Sequence, residues 1–128
     1  MSQSSGAGSG ILARAWTTQA HAADLGFDWP DVCGVLAKVR EEVDEIEAAL
    51  SQDQREHAKR ELGDLLFSAV NLARFLQADP AEELRRATER FERRFRRVEE
   101  EVRQSGRRVK DCTLDQLEDV WQRVKRSC

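Results

Sequence analysis

Glu41, Glu42 and Glu45, followed sixteen positions on by Glu61 and then Asp64, are the side chains of this sequence best suited to chemistry. Glu42 and Glu45 stand three apart, as do Glu61 and Asp64, and that spacing sets each pair on one face of a helix. If the two helices pack antiparallel, four carboxylates converge with Lys38 as the one lysine between them. Gathered anions repel, so a fold that keeps them together supplies a compensating cation. Mg²⁺ suits that place, because it takes oxygen ligands and retains waters and substrate phosphates in its shell. Acidic pairs at helical spacing are common, and spacing alone leaves two readings open, a solvated helix face or a metal site.

A second charged group follows. Arg90, Arg94 and Arg97 form a basic ridge, and a guanidinium grips phosphate oxygens in a planar fork. Paired instead to Glu89, Glu92 and Glu99, the same arginines would be surface ion pairs worth roughly a few tenths of a kcal/mol each. Carboxylates around a divalent ion at one end and arginines at the other would suit a polyphosphate, and together they suggest a nucleotide. Trp29 and Trp121 read first as core or staple residues and second as platforms for a base. His57 has no neighbour in sequence that marks it as a catalytic base and reads as a peripheral polar contact.

Five helices are expected to position these groups. The chain has 128 residues, 35% charged and 6% aromatic with two prolines, a profile of one helix-rich domain. A net charge of −3 argues against bulk nucleic-acid binding. No apolar run approaches the roughly 20 residues that span a bilayer. Cys33, Cys112 and Cys128 are odd in number, form no C-x-x-C pair and make no zinc spacing with His21 and His57, which suits reduced thiols in a cytoplasm.

Residues 1–10 read as a disordered Ser/Gly-rich leader and residues 11–128 as the domain. The first helix is expected over Ile11–Leu25, closed by Gly26. A second runs from about Pro30 to Leu50 with Asp28 as its N-cap, its apolar stripe being Val32, Leu36, Val39, Val43, Ile46 and Leu50. The third covers about Arg55–Leu76, with Leu62, Leu65, Leu66, Ala69, Ala73 and Leu76 toward the core and His57, Glu61, Asp64, Ser68 and Asn71 on a second face. Gly63 inside it either admits a close neighbour or is simply tolerated, at about 1 kcal/mol against alanine. Asp79-Pro80 opens a fourth helix reaching about Gln104, with Leu84, Ala87, Phe91, Phe95, Val98 and Val102 as its seam and Gly106 at its end. Thr113-Leu114-Asp115-Gln116 has the form of a capping box before a short last helix with Leu117, Val120, Trp121 and Val124 inward. The expected architecture is an all-α antiparallel helix bundle.

The ordered set Gly26-Phe27-Asp28-Trp29-Pro30, Lys38 with Glu41-Glu42 and Glu45, Glu61–Phe67, Val70–Arg74, Phe91–Phe95 and Val120-Trp121 resembles the MazG-type nucleoside triphosphate pyrophosphohydrolases, of the all-α NTP pyrophosphatase superfamily. The resemblance runs from about Gly26 to Lys125 and looks closest to the catalytic C-terminal domain of two-domain bacterial proteins. It implies hydrolysis of an NTP between the α and β phosphates, giving NMP and pyrophosphate with Mg²⁺, or Mn²⁺ in its place. Carried over by position, Glu42, Glu45, Glu61 and Asp64 look like metal ligands, and Glu41 and Glu42 are the catalytic candidates, Glu41 holding a second ion through water or orienting the attacking water. Lys38, Arg90 and Arg94 would face the phosphates, and Asn71, Trp121 and Lys125 would contact the nucleotide. A homodimer or homotetramer in the cytoplasm, clearing the nucleotide pool, is implied as well. Relatives can carry lysine where His57 and Arg90 stand, so one phosphate contact is expected to be weaker. The rival readings are a narrower enzyme for dUTP, dCTP or a modified nucleotide, and a catalytically silent nucleotide-sensing module.

Overall fold

The computed structural model describes residues 7–127; residues 1–6 of the expected leader lie outside them, and residues 7–10 belong to α1, which starts four residues before the expected Ile11. Five α-helices follow one another: α1 (Ala7–Asp24), α2 (Val32–Ser51), α3 (Arg55–Phe75), α4 (Pro80–Gln104) and α5 (Leu114–Ser127), with a 3₁₀ turn at Val109–Asp111 before the last. No strand occurs among the described residues, and the all-α class holds. The chain divides into two compact units whose boundary falls between Glu83 and Leu84, near the start of α4.

Helix ends are set by local chemistry. Gly26 closes α1 at φ 96°, with the amides of Gly26 and Phe27 bonded back to the carbonyls of Ala23 and Ala22. The same reversal ends α2 and α3 without glycine, at Asp53 (φ 58°) and Gln77 (φ 57°). Asp79 caps α4 through the amides of Ala81 and Glu82, with Pro80 in the first turn as expected. Thr113 and Gln116 exchange the two bonds of a capping box at 2.9 and 3.1 Å. The start of α2 corrects the sequence reading. Asp31, not Asp28, is its N-cap, accepting from the Cys33 amide at 2.8 Å. Asp28 is instead taken up by the Trp29 amide and by Arg74 on α3.

In the first unit α2 and α3 form the principal packed pair and α1 lies on α3. The pair is antiparallel: Glu42 meets Ser68, while the earlier Asp28 meets the later Arg74. Its buried positions are Val35, Glu42 and Ala49 on α2 and Ala58, Glu61, Ser68 and Val70 on α3. This reverses the expected inward face of α3. Leu62, Leu66 and Leu76 are 49%, 58% and 65% exposed, while two members of the polar face, Glu61 and Ser68, are buried. On α2, Val43 and Leu50 are likewise exposed. The neighbour accounts for it: α2 turns the Glu42 carboxylate to the Ser68 hydroxyl of α3, so the polar stripe rather than the leucine stripe meets α2.

The second unit has a conventional apolar core. Val98 and Val102 of α4 and Val120 and Val124 of α5 are buried together, with Val109, Cys112, Leu117 and Trp121 against them. Arg123 of α5 reaches Glu101 of α4 at 3.3 Å. Phe91, expected in the seam, is exposed, and its ring lies 5.3 Å from that of Trp121.

Candidate functional site

Glu42, Glu61 and Asp64 each offer a carboxylate oxygen, and the three oxygens lie within 4.8 Å of one another. The antiparallel hairpin brings them together, with Glu42 from α2 and the i, i+3 pair from α3. Glu42 is buried and its Oε1 accepts from the Ser68 hydroxyl at 2.6 Å. The Glu61 carboxyl is pushed above its ordinary pKa, first by burial, then by the charges of Glu45 and Asp64, with His57 opposing. Anionic oxygens packed this closely are a donor set for a hard divalent cation, which would remove the repulsion. Glu45 stands outside the trio and acts on it through its charge on Glu61.

A cavity of about 690 Å³ opens beside these acids within the first unit. Glu42 and Asp64 are in its wall with Lys38, and α1, the 27–29 loop and the far part of α3 close it with Gln19, Ala22, Phe27, Trp29, Phe67 and Asn71 among others. Its volume suits a nucleotide-sized ligand, and its lining combines charged and aromatic side chains. Lys38 donates to Glu41 Oε2 at 2.7 Å, and that bond, helped by the charges of Glu41, Glu42 and Glu45, raises its pKa against the effect of burial. The ammonium therefore stays charged at the cavity wall. Asn71 turns its Oδ1 to two nitrogens of Arg74, at 3.0 and 2.8 Å.

The remaining expected site residues are placed as follows. Glu41 is half exposed, bound to Lys38, and belongs to neither the trio nor the cavity wall. Arg90, Arg94, Trp121 and Lys125 belong to the second unit, where Trp121 packs on the valine core and Arg90 and Lys125 are exposed. His57, read as peripheral, lies 3.7 Å from Glu61.

Three roles escaped the sequence reading. Gln19 is 6% exposed in the cavity wall, and a lone glutamine on α1 carries no spacing signal. Arg74 clamps Asp28 at 2.6 Å and thereby ties the 27–29 loop to α3. Gly34 is where a close approach does occur: a β-carbon there would stand 2.6 Å from the Trp29 ring. Gly63 has nothing within 4 Å of such a carbon and is a tolerated helix glycine.

The profile of the MazG nucleotide pyrophosphohydrolase domain matches residues 32–102. The chain is 41% identical over 114 residues to the nucleoside triphosphate pyrophosphohydrolase/pyrophosphatase MazG of Thermotoga maritima, covering 89% of this chain and 44% of that protein. It is 44% identical over 117 residues to the nucleoside triphosphate pyrophosphohydrolase of Escherichia coli K12, covering 90% and 44%. A Bacillus subtilis protein, described as uncharacterized protein YabN, is 38% identical over 76 residues, 59% of this chain and 16% of its own. The chain thus spans less than half the length of these relatives.

Proposed function

The chain belongs to the MazG nucleotide pyrophosphohydrolase family, and from that membership we propose that it hydrolyses nucleoside triphosphates between the α and β phosphates in a Mg²⁺-dependent reaction. A water oxygen bonds to the α-phosphorus and gives up its proton to solvent, the bond from that phosphorus to the α–β bridging oxygen breaks, and its electron pair leaves with pyrophosphate, giving the monophosphate. The supporting observation is the trio Glu42, Glu61 and Asp64, its oxygens within 4.8 Å and two of its members in the wall of a nucleotide-sized cavity.

Glu42, Glu61 and Asp64 would hold the cation, with Glu45 as a further ligand by resemblance. When bound, the ion neutralises phosphate charge and lowers the pKa of the attacking water. Lys38 supplies a permanent positive charge for the phosphates, and Glu41, which fixes it, is also the candidate for orienting water. Asn71 keeps its amide N–H groups available to the nucleotide while Arg74 occupies its oxygen. Arg90, Arg94, Trp121 and Lys125 enter this reading from the resemblance.

Residues 11–128 act as one domain in this proposal, in a homodimer or homotetramer that serves the cytoplasmic nucleotide pool. The exposed Leu62, Leu66 and Leu76 support assembly, because apolar patches of that kind mark contact surfaces. No helix among the described residues is long and apolar enough to cross a membrane.

Product identification tests the reaction. A panel of NTPs with Mg²⁺ should give pyrophosphate and NMP, and orthophosphate with NDP would refute it. Glu42→Ala and Asp64→Ala should each abolish pyrophosphate release with the helical circular dichroism unchanged. Full activity in both variants would remove the assigned site.

A further inference from the structure

Gln19, in the cavity wall, holds an enclosed and unused hydrogen-bond acceptor. Its side-chain Nε2 donates to the Phe67 carbonyl at 2.8 Å, which fixes the amide orientation. Its Oε1 is enclosed and has no hydrogen-bond partner among the described residues. Buried acceptors without a donor are costly and rare in folded proteins. Rotating the amide offers no relief, since that would turn an oxygen toward the Phe67 carbonyl oxygen. With no donor inside the protein, the position is left for an N–H or O–H that reaches it as the side chains enclosing it move aside, and it repels a carbonyl.

The surroundings narrow the donor. Gln19 shares the cavity with Ala22, Phe27, Trp29 and Phe67, an apolar and aromatic group, while Lys38, Glu42 and Asp64 are charged and Asp28 and Arg74 neutralise each other as an ion pair. The indole of Trp29 lies on the bare backbone of Gly34, closer than any other residue type would allow. Aromatic surface beside a fixed polar atom suits a flat heterocycle better than a ribose or a phosphate.

We propose that Gln19 reads the nucleobase, its Oε1 accepting a hydrogen bond from an N–H on the edge of the base while Trp29 offers its face to the ring. The proposal rests on the first unit being a nucleotide site and adds the residue that discriminates among nucleotides. An exocyclic amine, as in adenine or cytosine, and a ring imide, as in uracil or thymine, present the same donor chemistry, and the experiment separates them.

In the wild-type protein, kcat/KM is compared for ATP against N6,N6-dimethyl-ATP and for UTP against 3-methyl-UTP, and again in Gln19→Met. The expected result is a loss of about tenfold or more for one methylated analogue in the wild type, shrinking to within about twofold in Gln19→Met. A loss in the first pair assigns the amine and in the second the imide. No loss in either pair, or equal losses in both proteins, overturns the proposal. Should Gln19→Met fail to fold, the assigned side-chain amide resonance of Gln19 in wild-type protein decides. It should shift with a parent nucleotide and not with its methylated form, and no shift with any parent nucleotide overturns the proposal. A wild type that releases no pyrophosphate from any NTP refutes the reaction separately, and calorimetric Kd values for the same pairs then replace kcat/KM.

Discussion

The hydroxyl of Ser68 on α3 donates to Glu42 Oε1 on α2 at 2.6 Å, and both side chains are buried. A hydrogen bond to a carboxylate fixes which oxygen remains for a metal. Ser68→Ala should weaken Mg²⁺ binding about 10- to 100-fold, as loss of a partner that orients a ligand does elsewhere. Titration calorimetry measures the affinity, and circular dichroism confirms that the helices persist. An unchanged affinity would reduce the bond to packing.

Glu61 predicts a pH dependence. Its folded pKa is raised above the ordinary 4.5, by burial and by Glu45 and Asp64. The folded state therefore binds the proton more tightly than the unfolded chain does. This group's contribution falls as pH rises through the two pKa values, leaving an ionised carboxylate that opposes folding at neutral pH. Glu61→Gln should raise the Tm of the metal-free protein at pH 7 and erase the stabilisation that Mg²⁺ confers. Melting curves with and without Mg²⁺ check both, and a lower metal-free Tm would contradict the repulsion.

Asp28 and Arg74 behave oppositely. The Arg74 guanidinium holds the Asp28 carboxyl below its ordinary 3.8, so its stabilisation is complete above that pH and is lost as pH falls through the folded value. Arg74→Met should cost about 1 kcal/mol at pH 7. The gap from wild type should narrow below pH 3.8, as denaturant titrations across that range would show. Because Asp28 belongs to the cavity loop, KM for the NTP should rise as well.

Two glycines in neighbouring helices should respond with opposite signs. At Gly34 an added methyl meets Trp29 at 2.6 Å, so Gly34→Ala should displace the indole and raise KM on the order of tenfold, a ring shift costing binding as other sub-ångström misplacements do. At Gly63 it meets nothing within 4 Å, and Gly63→Ala should stabilise by about 1 kcal/mol. Steady-state kinetics and thermal melts distinguish them.

Leu66 is 58% exposed on α3, in line with Leu62. Leu66→Glu should shift the sedimentation of the protein toward the mass of one chain. A wild type that already sediments at 14.6 kDa would refute assembly through this face.

Local punctuation was legible because it is written in adjacent residues: Gly26, Asp79-Pro80 and the Thr113–Gln116 box all act as their types require. Glu42, Glu61 and Asp64 were legible because helical spacing puts Glu61 and Asp64 on one face and a short connection folds Glu42 back to them. The inward face of α3 was not. Its leucine stripe marks a surface that avoids water, but periodicity does not say whether the same chain covers it, and here α2 takes the polar stripe instead. Gln19 and Gly34 left no signal, since each acquires its meaning only from a residue distant in sequence or from a ring folded over it.

The short link Gln52–Gln54 sets how far α3 is turned about its own axis relative to α2. One extra residue threaded into α3 ahead of Glu61 would rotate everything beyond it by about 100°. Glu61 and Asp64 would swing away from Glu42 while every acid remained in the chain. The capacity to collect a cation is thus written in the count of residues between the acids as much as in the acids themselves, and a single-codon insertion there should silence the protein as thoroughly as deleting one of them.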